Sequence, residues 1–131
     1  MFDRFASIAA RGWDWTREWH CLGDASDTFA SLFRFDPMGP VRGRYTAEIT
    51  AARAVRRAGG LDAFCASLFA AAGLVRADPQ PGAIGIGPTE AAAFGGRSAL
   101  ICIEPRLWAG KSARGATMIE TDDVEAWICL H

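Results

Sequence analysis

Neither sign of charge dominates this chain: 14 lysines and arginines stand against 15 aspartates and glutamates, for a net charge of −1. Such a chain lacks the cationic field that draws nucleic acid through its phosphates, so no nucleic-acid partner is expected. No apolar run approaches the roughly 20 residues of a membrane span, so no membrane anchoring is expected. The opening stretch MFDRFASIAARGW has an acid at position 3 and no long apolar run, which argues against a signal peptide. No two cysteines are in C-x-x-C spacing, and only His20 and His131 could join them as ligands. Scattered thiols and imidazoles do not build a zinc site, so neither a metal nor another cofactor is expected. The glycines of GAIGIGPTEAAAFGG lack a strand–G-x-G-x-x-G–helix setting and no Lys-Ser or Lys-Thr follows, which excludes a phosphate loop. Internal repeats and low-complexity tails are absent too.

What remains is a chain of 131 residues, half of them hydrophobic and 22% charged. That is one domain, residues 1–131, large enough to bury roughly two-thirds of its unfolded surface without staples.

Hydrophobic spacing predicts helices first. Phe2, Phe5, Ile8 and Ala9 recur at helical intervals over 3–11. A second helix is expected over 24–35, with Phe29, Leu32 and Phe33 on one face and Asp24 or Ser26 as cap. Asp36-Pro37-Met38-Gly39-Pro40 ends it. A third, over 46–58, turns Ile49, Ala52 and Val55 inward and Arg53, Arg56 and Arg57 outward, and stops at Gly59-Gly60. Those arginines read as a solvated face. A fourth covers 61–72 and closes at Gly73. Beyond Pro79 the chain changes to short strand-like runs at 83–86, 99–103, 117–119 and 126–130, punctuated by Gly and Pro. Helices followed by a small sheet make an α+β fold.

Cys65, Cys102 and Cys129 sit among apolar neighbours and read as small core residues. With no secretion signal, thiols are expected rather than disulfides. Cys21 differs, because it follows His20 and leads into the second helix. A thiol at a helix N-terminus feels the positive end of the dipole and ionises more easily, which makes Cys21 a candidate nucleophile; a half-buried structural cysteine is the other reading. Trp13, Trp15 and Trp108 lie in turn-like stretches outside the periodic helices. At least one of them is expected to be exposed in the protomer and covered in an assembly, the rival reading being that they wedge the N-terminal arm onto the sheet.

A cysteine at a helix start, a helical first half and a following sheet resemble the layout of papain-like NlpC-type hydrolases. More narrowly, the chain resembles the small NlpC-like proteins encoded among phage tail genes. Cys21, Asp27, Asp36-Pro37, RGRY at 42–45 and RAVRRAGGL at 53–61 match that group in order and spacing. PGAIGI at 81–86 lies where the group has a Gly-Asp-Val strand, and EAW at 125–127 resembles its C-terminal Ala-Trp. The resemblance implies a papain-like α+β domain with Cys21 as nucleophile and a histidine at the start of the strand after Gly-Asp-Val.

This chain departs from that pattern where catalysis needs it. Ser98 aligns with the histidine, Ala83 with the aspartate, and His20 replaces the usual Asp before the cysteine. A serine is no base near neutral pH, and losing the base removes several orders of magnitude of rate. His20 is adjacent to Cys21, and His131 is the last residue; either would be an unusual base. The resemblance therefore implies a structural component of a phage tail tip, a plug, adaptor or assembly protein in the virion, made in the bacterial host cytoplasm and partnered by other tail-tip or hub proteins. The alternative is an active cysteine peptidase or amidase that cuts cell-wall peptidoglycan during entry, with Cys21 as nucleophile and His20 or His131 recruited. A cytoplasmic adaptor unrelated to phage is a third.

Overall fold

The computed structural model describes residues 1–89 and 93–130. Part of the glycine-containing stretch at 82–96 and the candidate base His131 thus lie outside the described residues. Four helices come first: α1 Phe2–Ala9, α2 Cys21–Phe33, α3 Glu48–Ala58 and α4 Leu61–Ala72. Six strands follow: β1 Val75–Ala77, β2 Ile84–Pro88, β3 Arg97–Glu104, β4 Leu107–Ser112, β5 Gly115–Glu120 and β6 Glu125–Ile128. They form one antiparallel sheet in the order β1-β6-β2-β3-β4-β5. This is the α+β arrangement expected of the sequence, with a larger sheet. Among the described residues no helix is long and apolar enough to cross a membrane.

The helices cover one face of the sheet. Ile84, Ile86, Ala99, Ile101, Ala109 and Trp127 point from the strands into a core completed by Phe5, Leu22, Phe29, Val55, Cys65 and Phe69. Alternation sends Ala83, Leu100, Cys102, Trp108 and Ala126 to the other face, where they form a second, smaller cluster. Glycines make that cluster possible. A Cβ on Gly87 would stand 2.6 Å from Val124 and 2.7 Å from Leu100, and one on Gly110 would stand 2.7 Å from Leu100.

Several sequence expectations need correction. Helix α2 begins at Cys21 rather than at 24, and its cap is His20 instead of Asp24 or Ser26. It ends at Phe33, with Arg34 left-handed at φ 56°, so Phe33 is only partly covered. In α3 the buried row is Ala51 and Val55, while Ile49 is 62% exposed. Six residues turn a helix through about 600°, which leaves Ile49 about 120° round from Val55, whereas Ala51 is about 40° away.

Strands β1 and β4 were not expected. Gly110 and Lys111 give β4 the look of a turn, yet Trp108, Ala109, Gly110 and Lys111 are all buried. Trp108 is therefore a core residue of the second face and no exposed aromatic. Trp13 is the exposed one at 39%, with its indole N–H donating to the Ser112 carbonyl at 3.2 Å. Trp15 is half-buried. The two tight stops were legible: Gly59 and Gly73, both at φ 99°, close α3 and α4 with left-handed geometry.

Candidate functional site

The start of α2 is built backwards from a close backbone approach. Glu18 takes a left-handed turn at φ 60°, which brings its carbonyl oxygen against Gly23. A Cβ on Gly23 would stand 1.8 Å from that oxygen, so only glycine fits. His20 is extended, and its Nδ1 accepts the Gly23 N–H at 3.0 Å, which caps the helix. Cys21 follows as the first helical residue and is 3% exposed.

The Cys21 thiol faces β3, within hydrogen-bonding reach of the Ala99 backbone and the Ser98 side chain. Burial pushes its pKa up, beyond what those two contacts and the Leu22 backbone offset, and the Asp24 carboxylate pushes the same way. The group is a thiol near neutral pH, which favours the structural-cysteine reading over an activated thiolate. Cys65 is buried close by, and burial raises its thiol further, with Cys21 and Asp62 adding to the shift.

Ser98 is the second residue of β3, is buried, and donates its hydroxyl to the Ala99 carbonyl at 3.3 Å. It thus stands beside Cys21 and supplies no base there. His20 does not replace the missing imidazole. Its Nδ1 lone pair is used by the Gly23 N–H, so the neutral ring holds its proton at Nε2 and has no site left for a thiol proton. Burial lowers its pKa to about 4, helped by the positive charges of Arg42 and Lys111 and opposed by Asp27. The ring lies 4.7 Å from Trp15, centroid to centroid. The expectation of His20 as a base is corrected to a capping role.

An apolar cavity of about 380 Å³, mouth included, opens beside the imidazole and is lined by Trp15, Met38, Tyr45, Phe64 and Phe94 among others. Among its described lining residues only His20 and Tyr45 titrate, and Cys21 does not line it.

The other motif residues form an ion network. Arg42 of RGRY reaches Asp27 at 2.5 Å and Asp36 at 2.9 Å, and Asp36 also accepts the Met38 N–H at 2.9 Å. Arg11 joins Asp27 at 2.9 Å and Asp24 at 2.6 Å. Asp24 is fully buried and takes a short bond from the equally buried Lys111, which also donates to the Gly12 carbonyl at 2.5 Å. Asp27, Asp36 and Arg42 were visible as motif residues. Lys111, Arg11 and Asp24 were not, because their meeting depends on α1, α2 and β4 being brought together. Among the described residues, no group of three or more His, Cys, Asp or Glu could hold a metal ion.

Fold and site together define an α+β domain whose helix-N-terminal cysteine is a buried, protonated thiol without an imidazole partner among the described residues. The chain belongs to the family described as "Domain of unknown function (DUF6950)", which matches residues 2–128. No curated protein and no solved structure matches it.

Proposed function

We propose that this chain is a non-catalytic structural component of a phage tail tip, built on an NlpC-type, papain-like domain that has lost its hydrolytic set. The observation that carries the loss of catalysis is the Cys21 thiol set against Ser98, where the resemblance puts a histidine. Two further features support it. Burial opposes thiolate formation at Cys21, and His20 is engaged in capping α2. A cysteine nucleophile needs a base positioned on its proton, and neither neighbour supplies one. The motif acids and Arg42 hold the 34–45 loop against α2, which is a scaffolding use of the residues that carry the resemblance. The tail-tip setting rests on that resemblance.

Two measurements test the reading. The purified chain is incubated with peptidoglycan and its soluble muropeptides are counted against a Cys21→Ala variant. Equal, background-level release is expected; release that needs Cys21 overturns the loss of catalysis and favours the peptidase alternative. Mass spectrometry of purified particles from a phage that carries the gene should find the chain at a fixed ratio to tail proteins. Its absence from particles would remove the virion assignment.

A further inference from the structure

We propose that β5 pairs edge to edge with β5 of a second copy of this chain, in antiparallel register about Thr117. The two ends of the sheet are unlike each other. At one end β1 has three residues, and its Arg76 is held by Glu125 at 2.7 Å and lies over the Trp127 ring. That edge is short and charged, which discourages further pairing. At the other end β5 has six residues, GATMIE, with no proline, no lysine and an unbroken register against β4. One row of its N–H and C=O groups faces away from β4, and among the described residues no other strand pairs with it. An edge of this length without a blocking device is a template for another strand.

The side chains choose the partner. Pairing two copies about Thr117 sets Ala116 opposite Met118 twice and Arg114 opposite Glu120 twice. Met118 is 49% exposed and would be covered by this pairing. Arg114 is exposed and forms no ion pair among the described residues, and Glu120 has only a loose contact with Arg106 at 4.0 Å. Self-pairing gives both groups a counter-charge at each end of the ribbon, as a closed two-fold interface requires. A strand from an unrelated protein would meet this charge pattern only by its own complementary sequence, so a second copy is the occupant.

Sedimentation equilibrium of the full chain over a wide concentration range tests this. The wild type should populate a dimer. R114E and E120R should each weaken it about tenfold or more, since each puts like charges opposite at both ends. The double variant R114E/E120R should return the dissociation constant to near the wild-type value, and M118K should weaken dimerisation through the same strand without touching either end. Circular dichroism and thermal melts confirm that each variant is folded. A wild type that stays monomeric throughout overturns the proposal, which leaves β5 to a strand of another protein. A dimer insensitive to the single charge reversals, or not restored by the double one, overturns it as well.

Discussion

The Asp24 carboxylate and the Lys111 ammonium meet with both side chains wholly withdrawn from water, tying the first turn of α2 to β4, the strand beside the β5 edge. Removing Asp24 leaves the buried Lys111 ammonium with the Gly12 carbonyl and no counter-charge, whereas removing Lys111 still leaves Arg11 on Asp24. Asp24→Leu should therefore cost about 3–5 kcal/mol in urea denaturation. The double variant K111M/D24L should recover much of that loss, since neither charge then remains buried; a double variant as unstable as the single one would show the pair to be essential in itself.

His20 makes folding stability depend on pH. Its folded pKa, near 4, lies below the ordinary value of 6.5. The unfolded chain then binds more protons between these values, so the stabilisation is complete above about pH 6.5 and is lost as pH falls toward 4. The full effect is at most about 3 kcal/mol. His20→Asn keeps an oxygen acceptor for the Gly23 N–H and removes the titration. Unfolding curves at pH 7 and pH 5 should differ less for that variant than for the wild type.

Thiol labelling separates the cysteines. Cys21, Cys65 and Cys102 are buried and burial is the leading cause that raises each of their pKa values, to about 11 for Cys102. Only Cys129 is partly exposed. Alkylation of the native chain at pH 7.5 (a condition of roughly physiological pH) should modify Cys129 first and leave Cys21 untouched until the protein unfolds. Fast labelling of native Cys21, located by peptide mass mapping, would contradict the inert thiol.

Gly23→Ala tests the capping turn. The added carbon would collide with the Glu18 carbonyl at 1.8 Å, and that atom is backbone, so the turn itself must move. A loss of about 3 kcal/mol or more is expected in thermal or urea melts. Gly39→Ala, with nothing within 4 Å of the new carbon, should change stability little.

Much of the helical half was legible because its signals are local. The α4 bounds matched the expected 61–72, since a periodic apolar run is closed on each side by glycine. Local spacing failed where two faces competed: Ile49 fits a row with Ala52 and Val55 on paper, yet the helix turns it outward. The candidate site divided in the same way. Cys21 and Ser98 were singled out by position, and the structure brings them together at the α2–β3 junction. The state of the thiol was not legible, because the helix dipole is a local property and burial is not.

The sequence by itself determined the α+β order, the helix stops at Gly59 and Gly73, and the lack of a histidine at position 98. Each follows from residue type and short-range spacing, which act within a turn or two of the chain. Tertiary structure decided the rest. It made a strand of the turn-like LWAGKS, because Asp24 of α2 meets Lys111 there and Leu100 fills the space over Gly110. It made His20 a cap, because the Glu18 carbonyl and Gly23 leave its Nδ1 one near donor. And it kept Cys21 protonated, because a thiol closed off from water by β3 loses more solvation on ionising than its hydrogen bonds return.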